Sequence, residues 1–409
     1  MGSTSPDALA LEILDASLGG AGLRPVLPAF RELVEAACDS AEASRALFGI
    51  LAEGLSDRFE PRLVEAYAGL FAEAIAFALP QCKAADLLAR YERVRRPRRF
   101  EGRAERVRNV FVLSRVTLGA DIAVTSLVLD AVKRRFPEAR VFLVGSEKNW
   151  QLFAADARVG CVPVTYGRSL RERLAAGLEL QARLSQAGSV VIDPDSRLTQ
   201  LGLLPVCPEE DYFFFESRGY GGDGEESLAE LTRRWLDQTF GVADAWPWIA
   251  PAVEGEGAHV AISFGVGDNP AKRIPDPFEE ELLRGLSRRG LEALVDKGAG
   301  GEEAARVERA VAGSGQVRMF EGSFAAFATR IMRSRLYVGY DSAGQHAAAA
   351  AGVPLVTVFA GFPSPRFFAR WQPTGPGPKV VIRVDDPDPA AVLRQTLEAV
   401  MSLPPSGPG

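Results

Sequence analysis

HVAISFG (259–265), FEEELLRGLSRRG (278–290), LEALVD (291–296), EEAARVERAVAG (302–313), QVRMF (316–320), FAAFATRIMRS (324–334), RLYVGYD (335–341), QHAAAAAG (345–352) and PLVTVFA (354–360) follow one another almost without interruption. Short apolar runs alternate here with stretches whose apolar residues recur at helical spacing, so the segment predicts βαβ units on a parallel sheet. The same alternation occurs upstream: NVFVLSRV (109–116), DIAVTSLVLDAVKRRF (121–136), ARVFLVG (139–145), SLRERLAAGLELQARLSQ (169–186) and SVVIDPD (189–195). Between the arrays it weakens from Pro205 to Pro251, through ESRGYGGDGEE (216–226) and WPW (246–248). Two βα arrays joined by an irregular bridge predict an α/β protein with two Rossmann-like domains facing a cleft. Ligands of such sheets sit at the carboxyl ends of the strands.

The chain ahead of the first array is of another kind. From Asp7 to about Tyr91 it is rich in alanine and leucine, with Leu63, Tyr67, Leu70, Phe71, Ala74, Ile75 and Ala78 at helical spacing and Pro61 suited to a first turn. It predicts an independent, extra N-terminal α-helical domain over residues 1–95. The Arg90–Arg108 stretch holds nine arginines against three glutamates, with Pro97 and Gly102. Residues 96–108 therefore read as a basic linker, either a solvated connector or a contact for anionic lipid headgroups. The arrays then give domains at 109–255 and 256–402.

Composition narrows the function. Of 409 residues 47% are hydrophobic and 24% charged, as in ordinary globular proteins, and the length suits two or three domains. A formal charge of −6 gives no overall electrostatic reason for a nucleic-acid partner. Cys38, Cys82, Cys161 and Cys207 form no CxxC pair, which argues against zinc and disulfides and for a reducing compartment. The amino-terminal MGSTSPDALALEILDAS carries acidic residues where a secretory signal is basic, and no apolar run approaches a membrane span. A cytoplasmic location is expected. His259 and His346 are the only histidines, too few for a histidine-rich metal site. LPPSGPG (403–409) is expected to be a disordered tail.

The chemistry concentrates in Leu336–Gly375. An apolar strand ends at Asp341, small residues follow, and a helix opens near Gln345, which presents free backbone N–H groups to phosphate. The competing explanation is a βα turn whose small residues only allow close packing. Asp121 ends a Gly-containing strand-to-helix loop, where it suits a general base or a helix N-cap. VIDPDSRLTQLG holds Asp193-Pro-Asp195, superficially a metal-binding DxD.

Asp341, Ser342, Ala343, Gly344, Gln345 and His346, then Gly352 and Pro354, then Phe359, Gly361, Pro363, Arg366 and Trp371 resemble the motif series of glycosyltransferase family 9, the heptosyltransferases. The family has Gly-Pro where this chain has Ala343-Gly344, and Gly-Pro again where it has Ala360-Gly361. Leu113–Phe153 looks like the family's first strand, loop and helix, which places its catalytic aspartate on Asp121, although the glycine stands at 119 rather than 120. Lys272, Arg273 and Pro275 fit its Lys-x-Trp-Pro, with Ile274 in place of tryptophan. The resemblance runs from about Asn109 to Val400 and does not reach the helical segment.

What the resemblance implies is a GT-B fold with an acceptor domain first and a nucleotide-sugar donor domain second. It implies inverting, metal-independent transfer with Asp121 as base and Lys272 neutralising donor phosphate beside residues 341–346. Glu302 or Glu303 would contact the donor ribose, and Arg115, Thr117, Gly119, Asp193 and Ser196 would lie on the acceptor side. The implied donor is ADP-heptose and the acceptor a lipopolysaccharide core, with no cofactor and no metal. Alternatives of the same fold are another donor, a protein acceptor, or a non-catalytic scaffold that uses the helical domain to bind a protein partner.

Overall fold

The computed structural model describes residues 4–20, 23–267 and 269–404. The expected tail falls on 405–409, outside the described residues. The chain forms two compact units. The first comprises Met1–Val116, Val128–Glu147 and Arg158–Ala245, and the second comprises Thr117–Leu127, Lys148–Ala157 and Trp246–Gly409.

The first unit holds a five-stranded parallel sheet of β1 (Asn109–Leu113), β2 (Arg140–Gly145), β3 (Val159–Pro163), β4 (Ser189–Asp193) and β5 (Tyr212–Phe214), in the order β3-β2-β1-β4-β5. Every residue of β1 and β4 is buried, as expected of central strands covered on both faces. The order reverses between β1 and β4, so their carboxyl ends open at the switch point where ligands of such sheets bind.

The helices between Pro6 and Val94 belong to this same unit and do not stand apart as an independent domain. Leu47, Phe71, Leu87 and Tyr91 share one apolar core with Phe111, Leu170, Leu174 and Phe214. Nor is the basic stretch a solvated connector. Phe100 meets Phe136 edge to face at 5.0 Å, and its N–H donates to the Thr239 carbonyl at 2.8 Å. Arg98 lies 3.9 Å over the Phe213 ring and donates to the carbonyls of Glu209, Glu210 and Tyr212. Arg93 makes a two-pronged bond to Glu209 at 2.9 and 3.0 Å. Guanidinium stems and aromatic rings pack together here, a use of arginine that charge counting overlooks.

The second unit holds a six-stranded parallel sheet of β6 (Val260–Ser263), β7 (Ala293–Asp296), β8 (Val317–Phe320), β9 (Leu336–Tyr340), β10 (Leu355–Phe359) and β11 (Lys379–Arg383), in the order β11-β10-β9-β6-β7-β8. Here β6 and β9 form the switch point. The core is Val260, Ile262, Val295, Val338, Val356 and Val358 of the strands against Leu282, Leu286 and Val400 of the helices. Among the described residues no helix is long and apolar enough to cross a membrane.

Candidate active site

The site in the second unit starts from the carboxyl ends of β6 and β9. The chain leaves β9 at Asp341, and a helix Ala343–Ala350 follows with Ser342 at its N-cap in extended conformation. No side chain caps that helix, so its first N–H groups are left for another acceptor. Gly344 answers to packing as well as to any ligand: a methyl group there, or at Gly339, would collide with the buried Tyr337 hydroxyl.

Lys272 reaches this turn from a loop after β6. Its Nζ sits 2.7 Å from Asp341 Oδ2 and 5.3 Å from the centre of the Phe367 ring. The other oxygen of Asp341 accepts from Gln345 Nε2 at 2.5 Å, so the buried carboxylate is held from both sides. His346, one residue on, is buried 5.8 Å from the Trp371 ring. Burial pulls its pKa down to about 4, with Asp341 pulling the other way, so the imidazole is neutral at pH 7. A neutral ring adds a hydrogen-bond donor without adding charge.

The Lys272 loop is fastened by residues that the sequence did not single out. Glu279, 2% exposed, accepts from Arg273, Arg306 and the Tyr340 hydroxyl, and the Tyr340 oxygen in turn accepts from the Ile274 N–H at 3.3 Å. On the other flank, the half-buried Glu303 extends towards Gly265 and Gly298, whose missing side chains make room for it, whereas Glu302 is exposed. Beside Glu303, burial raises Asp296 at the end of β7 to about 6. Of the two glutamates, Glu303 therefore faces the carboxyl edge of the sheet.

Asp121 also belongs to this unit. Thr117 holds the N-cap position, with no side-chain capping bond, and Asp121 lies one turn inside the helix, in a wider Asp121–Thr125 turn, so Asp121 is not the cap. Such widened turns recur at functional sites. Its carboxylate is fully buried: Oδ1 accepts from Thr125 at 2.6 Å and Oδ2 from Asn149 at 2.5 Å. Gly119 touches the other helix start, since a Cβ there would lie 3.3 Å from both Ala343 Cα and His346 Cδ2. The aspartate turn and the 342–346 turn thus meet at Gly119, against the Ala343 backbone and the His346 ring.

In the first unit the residues expected on the acceptor side divide. Asp193, with no exposed surface, accepts from the Ser196 N–H at 2.6 Å, from the Tyr212 hydroxyl at 2.6 Å and from Thr199, and burial raises it to about 6. Ser196, equally buried, donates to the Ser114 carbonyl at 2.6 Å. Both brace the turn after β4, the structural role that competes with an acceptor-side one for these residues. Arg115, also buried, donates to Ser217 at 2.6 Å and to the Pro194 carbonyl at 3.0 Å. Val116, which follows, has φ +78, a strained position for a β-branched residue and one that marks the loop as over-determined by its surroundings.

The profile of glycosyltransferase family 9 (heptosyltransferase) matches residues 249–384, which contain Lys272, Glu279, Glu303 and the whole 341–346 turn. Residues 249–384 are a family 9 glycosyltransferase domain. Solved structures agree on the fold. An Escherichia coli heptosyltransferase, WaaC, solved with ADP, is 17% identical, with 71% of this chain and 99% of that one covered at a TM-score of 0.53. The E. coli ADP-heptose lipopolysaccharide heptosyltransferase II is 16% identical, with 72% and 98% covered at 0.52. A family 9 glycosyltransferase from Veillonella parvula is 15% identical, with 73% and 91% covered at 0.51. No curated protein matches the sequence. The chain thus has the two-sheet α/β fold of these GT-B heptosyltransferase structures, and its similarity to the family 9 model lies in residues 249–384.

Within the family 9 domain, the residues missed from sequence are Glu279, Arg306 and Asp296. Arg273 and Glu279 stand close in sequence around Pro275 and Pro277, a signal that was available. Arg306 and Tyr340 join them only through the strand order. Asn149, the partner of Asp121, carries no local signal either.

Proposed function

We propose that this glycosyltransferase moves a sugar, heptose from ADP-heptose foremost, onto a lipopolysaccharide-core or other glycan acceptor by metal-independent inverting displacement. The observation that carries the proposal is the meeting of the Asp121 turn with an uncapped helix start whose aspartate is paired to Lys272. Lys272 and the N–H groups from Ser342 to His346 take up the charge that develops on the departing diphosphate. Glu303 and Asp296 accept from the donor's ribose hydroxyls. Asp121 takes the proton from the acceptor hydroxyl, which displaces the Asn149 amide to reach it.

The exposed arginines of the basic stretch, Arg96, Arg99, Arg103 and Arg106, suit a peripheral contact with the cytoplasmic face of a membrane, each adding about 1 kcal/mol near anionic lipid. The helical segment, in the same proposal, offers a surface to a protein partner.

The burial of Asp121 and the engagement of both its oxygens favour a second reading, a nucleotide-sugar-binding protein without turnover. Thermal stabilisation across ADP, GDP, UDP and CMP tests the first. A shift of about 2.7 kcal/mol is expected with ADP at 100 times its dissociation constant. Lys272→Ala should weaken it by at least tenfold in affinity. Preference for UDP or GDP would replace the donor, and no response to any nucleotide would remove the proposal.

A further inference from the structure

The first unit carries a cluster of guanidinium groups that the transfer chemistry does not use. Arg218, 7% exposed, reaches Asp195 and lies 3.4 Å from Asp57, while Arg115 lies 3.8 Å from the same Asp195. These two cations are paired. Arg173 and Arg197, half-buried beside them, are not: among the described residues neither forms a salt bridge. Arg173 lies 4.3 Å over the Phe48 ring, and Arg197 lies 6.0 Å over the Tyr67 ring with one weak contact to Ser56 at 3.4 Å. The two guanidiniums are close enough that Arg197, after burial, is the main influence lowering the pKa of Arg173, against Glu53.

Donors left over in this place are buried. Arg173 Nε, Arg197 Nη1 and Arg218 Nε have no hydrogen-bond partner among the described residues, and the hydroxyl of Tyr67, a residue 2% exposed, faces Arg197. Unsatisfied buried donors and uncompensated charge both cost free energy, and a shared oxyanion satisfies both at once. Glu216 does not supply the missing charge. Burial, and then Asp195, raise its pKa well above the usual carboxylate range, and its nearest cation is Arg95, 3.7 Å away. Arg197 follows β4 and Arg218 follows β5, so the cluster stands at the carboxyl edge of the sheet, with its far wall formed by Phe48, Ser56 and Tyr67 of the helical segment.

We infer that Arg173, Arg197, Arg218 and Tyr67 form an oxyanion site, for a phosphate or carboxylate group, built jointly by the helical segment and the first sheet. The site lies wholly in the first unit and does not depend on the donor reading. The helical segment is then a ligand-binding wall rather than an appendage.

Isothermal titration of the full chain at low ionic strength, with inorganic phosphate and in parallel with succinate, tests it. Binding of either is expected, and the tighter one names the source of the anion. Arg173→Gln and Arg197→Gln should each weaken it at least tenfold, and Tyr67→Phe severalfold, with saturating ADP present so that the Lys272 turn does not contribute to the signal. Because Arg173→Gln relieves a like-charge contact, its melting temperature without anion should equal or exceed that of the unaltered chain, which separates lost binding from lost folding. Binding of neither anion, or equal binding by the arginine variants, would overturn the inference.

Discussion

Asp121 concentrates the question of catalysis into one carboxylate. Its two hydrogen bonds, from Thr125 and Asn149, fix its orientation, and full burial makes those bonds matter for folding as well. Asp121→Asn keeps the shape but removes the charge. Turnover is expected to fall by about 10²- to 10⁴-fold, with nucleotide affinity unchanged and stability lowered by about 1–3 kcal/mol because Asn149 meets a less suitable partner. Transfer measured at saturating donor, beside an unfolding curve, checks all three, and undiminished turnover would remove Asp121 from the chemistry. At this scale residue type and motif spacing singled out Lys272, Asp341 and His346, which the structure brings together at the turn after β9. Where burial decides, residue type alone left both roles open. Asp193 has the same chemistry as a cleft aspartate, and only its three donors turn it into a brace. The choice of Glu303 over Glu302 likewise needed the glycines opposite it.

Among the elements, the loops after β6 and β10 depend on each other. Gly361 has φ +61, and a side chain there would collide with the backbone of Ala271 and Lys272. Asn269 also donates to the Gly361 carbonyl at 3.2 Å. Gly361→Ala therefore pushes away the loop that delivers Lys272 to Asp341. Nucleotide affinity should drop by at least tenfold while the cooperative unfolding transition survives, measured by titration and by calorimetry; unchanged affinity would show that the loop can yield. The strands bearing these loops were legible because central parallel strands are uniformly apolar. Of the four edge strands only β8, read from QVRMF, was legible. β3 reads VGCVP, with a glycine and a proline that signal a turn, and β5 spans only Tyr212–Phe214. β11, also at an edge, was missed because its KVVIR follows a proline- and glycine-rich run.

On the scale of the whole molecule, the helical segment is where sequence and structure diverge most. Periodicity reports that a helix has an apolar face and says nothing of what that face covers, so an amphipathic segment ahead of a composition change reads as a free-standing domain. Its faces are spent on the first sheet instead. Tyr91 meets Phe214 with ring centres 6.1 Å apart, and Arg90 lies 4.6 Å over Tyr212 while donating to the Gly202 carbonyl at 2.7 Å. Removing residues 1–95 would uncover Leu170, Leu174, Tyr212 and Phe214 together, an apolar patch far larger than isolated surface residues. The truncated chain is expected to bind a hydrophobic dye, lose near-ultraviolet dichroism from the first unit and aggregate on warming. Because the second unit has its own core, nucleotide-dependent signals from it should outlast those losses. A truncated chain that melts in one sharp transition, without dye binding, would return the helices to the status of a separable domain and would also withdraw the wall from the proposed oxyanion site.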